Sequence, residues 1–333
     1  MKEFGRTDSG QDCHLYTLEN ETVKASVTDY GATLVSLIYK PQNVDVVEGF
    51  DDVSGYIHEV PYMGACIGRT CNRIGKGRFV LNGNTYQIPI NNNGNALHGG
   101  IEGFDKRIFA VKEEENRLIM TLISQDNDQG YPGNLHLEVI YELLEDGLKF
   151  SFSGISDQDT LLSVTNHSFF NLDHSDSVLN HELKLHASRY AHVDADGLTL
   201  DETEEVQGTP FDFTEFKTIG RDIGMDHEQL KNAHGYDHHF LADGEGFRVM
   251  AQYRTENLEM TVSSDLPGFH LYTANFLNRE AGKGGMIYPA RSAVCFETQY
   301  YPNAINYDSQ EKPILRKNQK CSHMTSYTFK GRK

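Results

Sequence analysis

The segment TNHSFFNLDH (165–174) sets His167 between Asn166 and Ser168, ahead of two phenylalanines and an Asn-Leu pair. Imidazole titrates near neutrality, so here it is either a buried histidine with both nitrogens satisfied or a proton-transfer group acting on a sugar or acyl substrate. Four other stretches combine ionisable or amide side chains with Gly or Pro turns: GRTCNRIGKG (68–77), NALHGG (95–100), GYDHHF (235–240) and FETQYYPNAIN (296–306). Taken singly, each has a structural explanation. Arg73 suits a surface ion pair, His98 a turn, Asp237 a cap and Glu297 a solvated edge strand.

Other chemistries find little support. No GxGxxG follows a strand, and there is no P-loop and no GxSxG elbow. The 15 histidines invite a metal reading, most of all in GYDHHF. Neighbours on a strand face opposite sides of a sheet, however, so His238 and His239 are poorly placed to share an ion. No HExxH or paired-cysteine spacing accompanies them, so no metal and no cofactor are expected.

Such residues need a frame, and the chain is patterned for strands. Leu135, Leu137, Val139, Tyr141 and Leu143 alternate with mostly polar residues, turn at Glu145-Asp146-Gly147 and return through Leu148, Phe150 and Phe152. Residues 78–89 form a second hairpin at Asn82-Gly83. Residues 246–262 form a third, expected to set a Phe247/Val249/Ala251/Tyr253 face against Leu258, Met260 and Val262. One short helix is expected within 222–235, with Gly235 as its C-terminal cap. The aromatic residues are 17 Tyr and 18 Phe with no Trp, a balance that suits sheets. Without repeats, low-complexity segments or linkers, residues 1–333 read as one all-β sandwich or barrel domain.

A net charge of −18 repels phosphate backbones and anionic headgroups, so neither nucleic acid nor membrane is an expected partner. Five cysteines, an odd number without a CxxC pair, argue against a disulfide framework and for a reducing compartment. The opening MKEFGRTDSG has no apolar segment, and no run is long enough to span a bilayer. A cytoplasmic location is expected.

Taken in order, these stretches resemble the aldose 1-epimerase, or galactose mutarotase, family. The resemblance runs from about Tyr16 to Phe329. It is carried by DYGATLVSL, DVVEGFDDVSGY, GACIGRTCNRI, NALHGGIEGFDKRIF, GYPGNLHLEVIYEL, TNHSFFNL, GTPFDF, GYDHHF, PGFHLYTANFL and ETQYYPNAIN. LHGG followed by GFDKR, and NHSxFNL followed far downstream by ETQ, are its most specific elements. It implies a single β-supersandwich domain with an open sugar-binding cleft. It also implies a cofactor-free enzyme that interconverts the α and β anomers of hexoses such as galactose and glucose. His167 would be the general acid and Glu297 the general base, with Asn72, Arg73, His98, Ser168, Phe169, Asp237 and His270 around the substrate.

The chemistry calls for these residue types. Opening a cyclic hemiacetal removes a proton from the C1 hydroxyl and delivers one to the ring oxygen. A carboxylate accepts the first, and an imidazole with an ordinary pKa of about 6.5 supplies the second. Arginine and aspartate anchor a polyol through charge-assisted hydrogen bonds.

The chain departs from the family pattern in three places. Phe169 stands where the family usually has Tyr, His270 where Gln is typical, and DGLTLDETEEV lacks the usual Ile-Pro-Thr-Gly. These bear on sugar preference and not on reaction type. Two rival functions remain: a non-catalytic sugar binder, which would not need both His167 and Glu297, and a phosphosugar or modified-sugar epimerase. The phosphosugar version would want a cluster of cations, and only Arg69 and Arg73 are close together among the motifs.

Overall fold

A computed structural model describes residues 1–332. Strands hold 46% of the residues and helices 11%, so the chain is all-β, as its alternation predicts.

The largest sheet has nine antiparallel strands, and the C-terminal strand Lys320–Gly331 lies inside it, between Gly147–Ser156 and Leu258–Ser264. The end of the chain therefore joins the two halves of the sheet. The first expected hairpin pairs Leu135–Leu144 with Gly147–Ser156, and Leu135, Leu137, Val139, Tyr141 and Leu143 are all buried. The second pairs Arg78–Leu81 with Asn84–Gln87. Its turn residues have φ of 51° at Asn82 and 79° at Gly83, the left-handed pair that matches strand twist.

The third hairpin, Arg248–Arg254 with Leu258–Ser264, forms with a different face. Met250 is an extra residue between the Val249↔Ser263 and Ala251↔Val262 pairs. This bulge reverses the alternation, so Met250, Ala251 and Tyr253 are buried while Phe247 and Val249 are exposed. The expected helix is Glu228–Asn232. It closes with bonds from the Gly235 N–H to the Leu230 carbonyl (2.9 Å) and from the His234 N–H to that of Lys231 (3.3 Å). The left-handed position belongs to His234, at φ 57°, and Gly235 follows it.

A five-stranded sheet, ordered Thr199–Glu205, Arg189–Val193, Asp237–Leu241, Gly268–Tyr272 and Cys295–Gln299, builds the site by alternation. Phe240, Phe269, Leu271 and Phe296 enter a core shared with the nine-stranded sheet and with Leu18, Val23, Ala25 and Val27 of the N-terminal sheet. Asp237, His270, Tyr272 and Glu297 therefore project from the opposite face. Burying each such apolar side chain stabilises the fold by about 1.5–3 kcal/mol. A one-residue slip would forfeit that and turn His270 and Glu297 into the core, so packing fixes the register of the polar set.

All five cysteines are free. Among the described residues no helix is long and apolar enough to cross a membrane.

Candidate active site

Short ladders draw distant motifs together. Arg73–Ile74 pairs with Ala96–Leu97, joining NRI to LHGG. Beyond that ladder the His98 N–H bonds the Asn72 carbonyl at 3.1 Å, and the Asn72 N–H donates to His98 Nδ1 at 3.2 Å. Gly99, at φ 89°, completes the turn; a Cβ there would lie 1.9 Å from the Gly68 carbonyl oxygen, so only glycine fits. Thr165–Asn166 pairs with Cys66–Ile67, and the His167 N–H bonds the Ala65 carbonyl at 2.9 Å. In the five-stranded sheet Asp237 lies opposite Tyr272, and His270 opposite Glu297.

These elements enclose a cleft of about 470 Å³ whose wall includes Asn72, Arg73, His98, His167, Phe169, Asp237, His270 and Glu297. Ser168, expected at the substrate, is not on that wall. It lies between two residues that face the cleft, and its buried hydroxyl donates to Asn166 Oδ1 at 2.5 Å. Asn166 in turn donates to the Gly64 carbonyl and to Tyr141 Oη, so Ser168 braces the segment from behind.

His167 Nε2 lies 3.5 Å from Glu297 Oε1. Burial is the main cause of both their shifts: it lowers His167 to about 4 and raises Glu297 well above the ordinary carboxylate range. The neutral-range imidazole expected for His167 is thus corrected downward. Burial thus disfavours the charged form of each group in the free protein.

Burial also takes His98 well below its ordinary value, helped by His167 and Arg73. Because its Nδ1 accepts from Asn72, its hydrogen is on Nε2. Burial would raise Asp237, but a hydrogen bond from His270 Nε2 to Oδ1 at 2.6 Å outweighs it and leaves the carboxylate lowered. Arg73 Nε bonds Asn92 Oδ1 at 3.0 Å.

His98, His167 and Glu297 offer ligand atoms within 4.8 Å of one another, which raises the question of a metal. A ligating histidine normally donates its second nitrogen to an acceptor. His98 does the reverse, receiving a backbone N–H at Nδ1, so it presents an N–H to the cleft and suits a hydroxyl oxygen better than an ion. In GYDHHF, the His238 ring packs 4.6 Å from Phe211 and the His239 ring 5.2 Å from Tyr301.

Arg69 is not a cleft cation. It is 2% exposed, and its guanidinium donates to the Ser124 hydroxyl and carbonyl, Thr160 Oγ1 and the carbonyls of Gln125, Pro132 and Gly133. Among the described residues Arg73 is the one Lys or Arg on the wall, against Glu59, Asp237, Glu280 and Glu297.

Tyr62, Tyr272 and Phe276 also line the cleft and were not singled out from the sequence. Tyr272 follows His270 by two residues on the same face, so strand period alone could have found it. Tyr62 has its ring 4.6 Å from that of His98 but lies outside any strand, at φ 69°, where no such signal exists.

A model of the aldose 1-epimerase family matches residues 14–328. Galactose mutarotase of Homo sapiens is 34% identical over 336 residues, spanning 98% of this chain and 97% of that protein. Aldose 1-epimerase of Escherichia coli (strain K12) is 34% identical over 333 residues, 96% of each chain. Among solved structures, an aldose epimerase homologue from C. elegans has a TM-score of 0.90 at 27% identity, over 96% of this chain and 100% of that one. Galactose 1-epimerase from Lactobacillus acidophilus NCFM has a TM-score of 0.88 at 27% identity, over 99% and 98%.

Proposed function

The chain belongs to the aldose 1-epimerase family, and we propose that it performs that family's reaction with His167 as general acid and Glu297 as general base. It is an isomerase that interconverts the α and β anomers of an aldose. The observation that carries the assignment is the 3.5 Å approach of His167 Nε2 to Glu297 Oε1 inside the cleft.

In this reading the pair carries a single proton between them, which suits the reaction. Its transfer from Glu297 to His167 leaves the net charge unchanged and yields the carboxylate and imidazolium that ring opening demands. Glu297 then takes the C1 hydroxyl proton while His167 delivers one to the ring oxygen. The C1–ring oxygen bond breaks, leaving an aldehyde and a free hydroxyl. After rotation about C1–C2 the steps run backward: the hydroxyl attacks C1, His167 recovers its proton, and Glu297 returns one to O1. Neither group is consumed. Hydroxyls elsewhere on the ring meet Arg73, the Nε2–H of His98 and the Asp237 carboxylate, with Asn72 beside them and Phe169 toward the C–H face.

Similarity to the human galactose mutarotase and the L. acidophilus galactose 1-epimerase supports hexoses such as galactose as substrates. A sugar-binding protein without activity would have no use for a buried carboxyl whose proton has an acceptor 3.5 Å away. Residues 1–333 act as one domain, supported by a core cluster running from Tyr16 to Phe329. Free cysteines support a cytoplasmic location, and the charge of −18 supports the absence of nucleic-acid and membrane partners. Polarimetry on freshly dissolved α-D-galactose and α-D-glucose tests the reading. Acceleration beyond the spontaneous rate is expected; sugar binding without acceleration would leave a binder.

A further inference from the structure

We propose that His270 is a positioning residue that acts through Asp237, holding that carboxylate toward the sugar while making no decisive contact with the sugar itself. This rests on the reading of Asp237 as a ligand for substrate hydroxyls.

His270 Nε2 is 2.6 Å from Asp237 Oδ1, and among the described residues this is the one hydrogen bond that the Asp237 side chain makes. Removing the imidazole would leave a mostly buried carboxylate untethered, free to turn away from the cleft. His270 itself is fixed. It sits in the strand Gly268–Tyr272, flanked by His239 on one side and Glu297 on the other, and is 2% exposed.

Its ring chemistry also points to Asp237. Nε2 directs its hydrogen to the carboxylate, and Nδ1 is buried with no partner among the described residues. The buried Nδ1 is therefore not presented to a sugar, and the directed contact of the ring is with Asp237. Glutamine at this position retains an amide donor, so the tether needs a donor at that reach and not an imidazole as such.

A double-mutant cycle measured by polarimetry separates the possibilities. His270→Ala should raise KM about ten-fold while kcat stays within about two-fold, because Asp237 holds substrate and does not move protons. Asp237→Asn should do the same, and the double variant should be no worse than the poorer single one. His270→Gln should restore KM to within about two-fold of the parent. His270→Leu, which keeps volume without a donor, replaces His270→Ala if the truncated protein fails to fold. Effects that multiply in the double variant, or a His270→Gln protein as impaired as His270→Ala, would overturn the tether and make His270 a direct sugar contact. An unchanged KM in Asp237→Asn would instead remove Asp237 from the sugar site, and the inference with it.

Discussion

His167 and Glu297 meet at 3.5 Å although they come from different parts of the fold. His167 follows a two-residue ladder with Cys66–Ile67, whereas Glu297 projects from the five-stranded sheet. Their separation is therefore set by the packing of Phe170 against Phe296 and Tyr327 in the core beneath them.

The first prediction is a pH profile. Because burial brings His167 to about 4, the pair gains a second proton and loses its base only at that acidity. Polarimetric kcat/KM should be flat from about pH 5 to about pH 7 and fall below, with circular dichroism confirming that the fold persists. An acid limb at about 6.5 would mean an ordinary, solvated imidazole.

Ser168→Ala should separate the segment's two faces. Its hydroxyl supports Asn166 behind the cleft, so KM and kcat should stay within about two-fold while unfolding in urea becomes easier by about 1–3 kcal/mol. A large rise in KM at unchanged stability would return Ser168 to the substrate.

Glu48 offers a stability test away from the chemistry. It is 5% exposed, its Oε2 has no partner among the described residues, and burial is the main cause of its rise to about 8. A carboxyl raised on folding favours the folded state at low pH and loses that contribution as pH climbs through the folded value. Unfolding then releases a proton between the ordinary carboxyl range and about 8, at a cost to the native state on the order of a few kcal/mol. Glu48→Gln should raise Tm at about pH 8 and change it little at about pH 4. Equal changes at both would show that Glu48 ionises normally in the fold.

Substrate charge gives a further test. With Arg69 occupied by six hydrogen bonds and Arg73 alone facing four carboxyl side chains, a phosphosugar meets net repulsion. Glucose 6-phosphate should show kcat/KM at least about ten-fold below glucose. Parity between the two would require a cation that reaches the cleft from elsewhere.

Much of this was legible in the residues. The alternation in 135–152 and the Asn82-Gly83 turn announced their hairpins because a half-buried strand and a two-residue turn each constrain residue type locally. Eight of the residues singled out in the motifs line the cleft together. What escaped depended on relations the sequence does not encode locally. The bulge at Met250 reversed a face without any glycine or proline to mark it. Ser168 was grouped with His167 by adjacency, though strand geometry sends neighbours to opposite sides. Arg69 resembled a second cleft cation until carbonyls from 124–133 enclosed it. The downward shift of His167 required knowledge of burial, which no motif carries.

The central claim is that His167 and Glu297 move protons and do not merely hold the sugar. Glu297→Gln keeps the shape and hydrogen-bonding reach of the side chain but accepts no proton, and His167→Asn keeps a polar group without a titrating ring. The most direct measurement is polarimetric kcat on α-D-galactose for both variants, set beside galactose affinity by calorimetry. The account predicts a fall in kcat of about 10²–10⁴-fold in each, a double variant scarcely worse than the poorer single one, and affinity changed far less. Variants that lose galactose binding in step with activity would contradict it, and would make the pair ligands of the sugar.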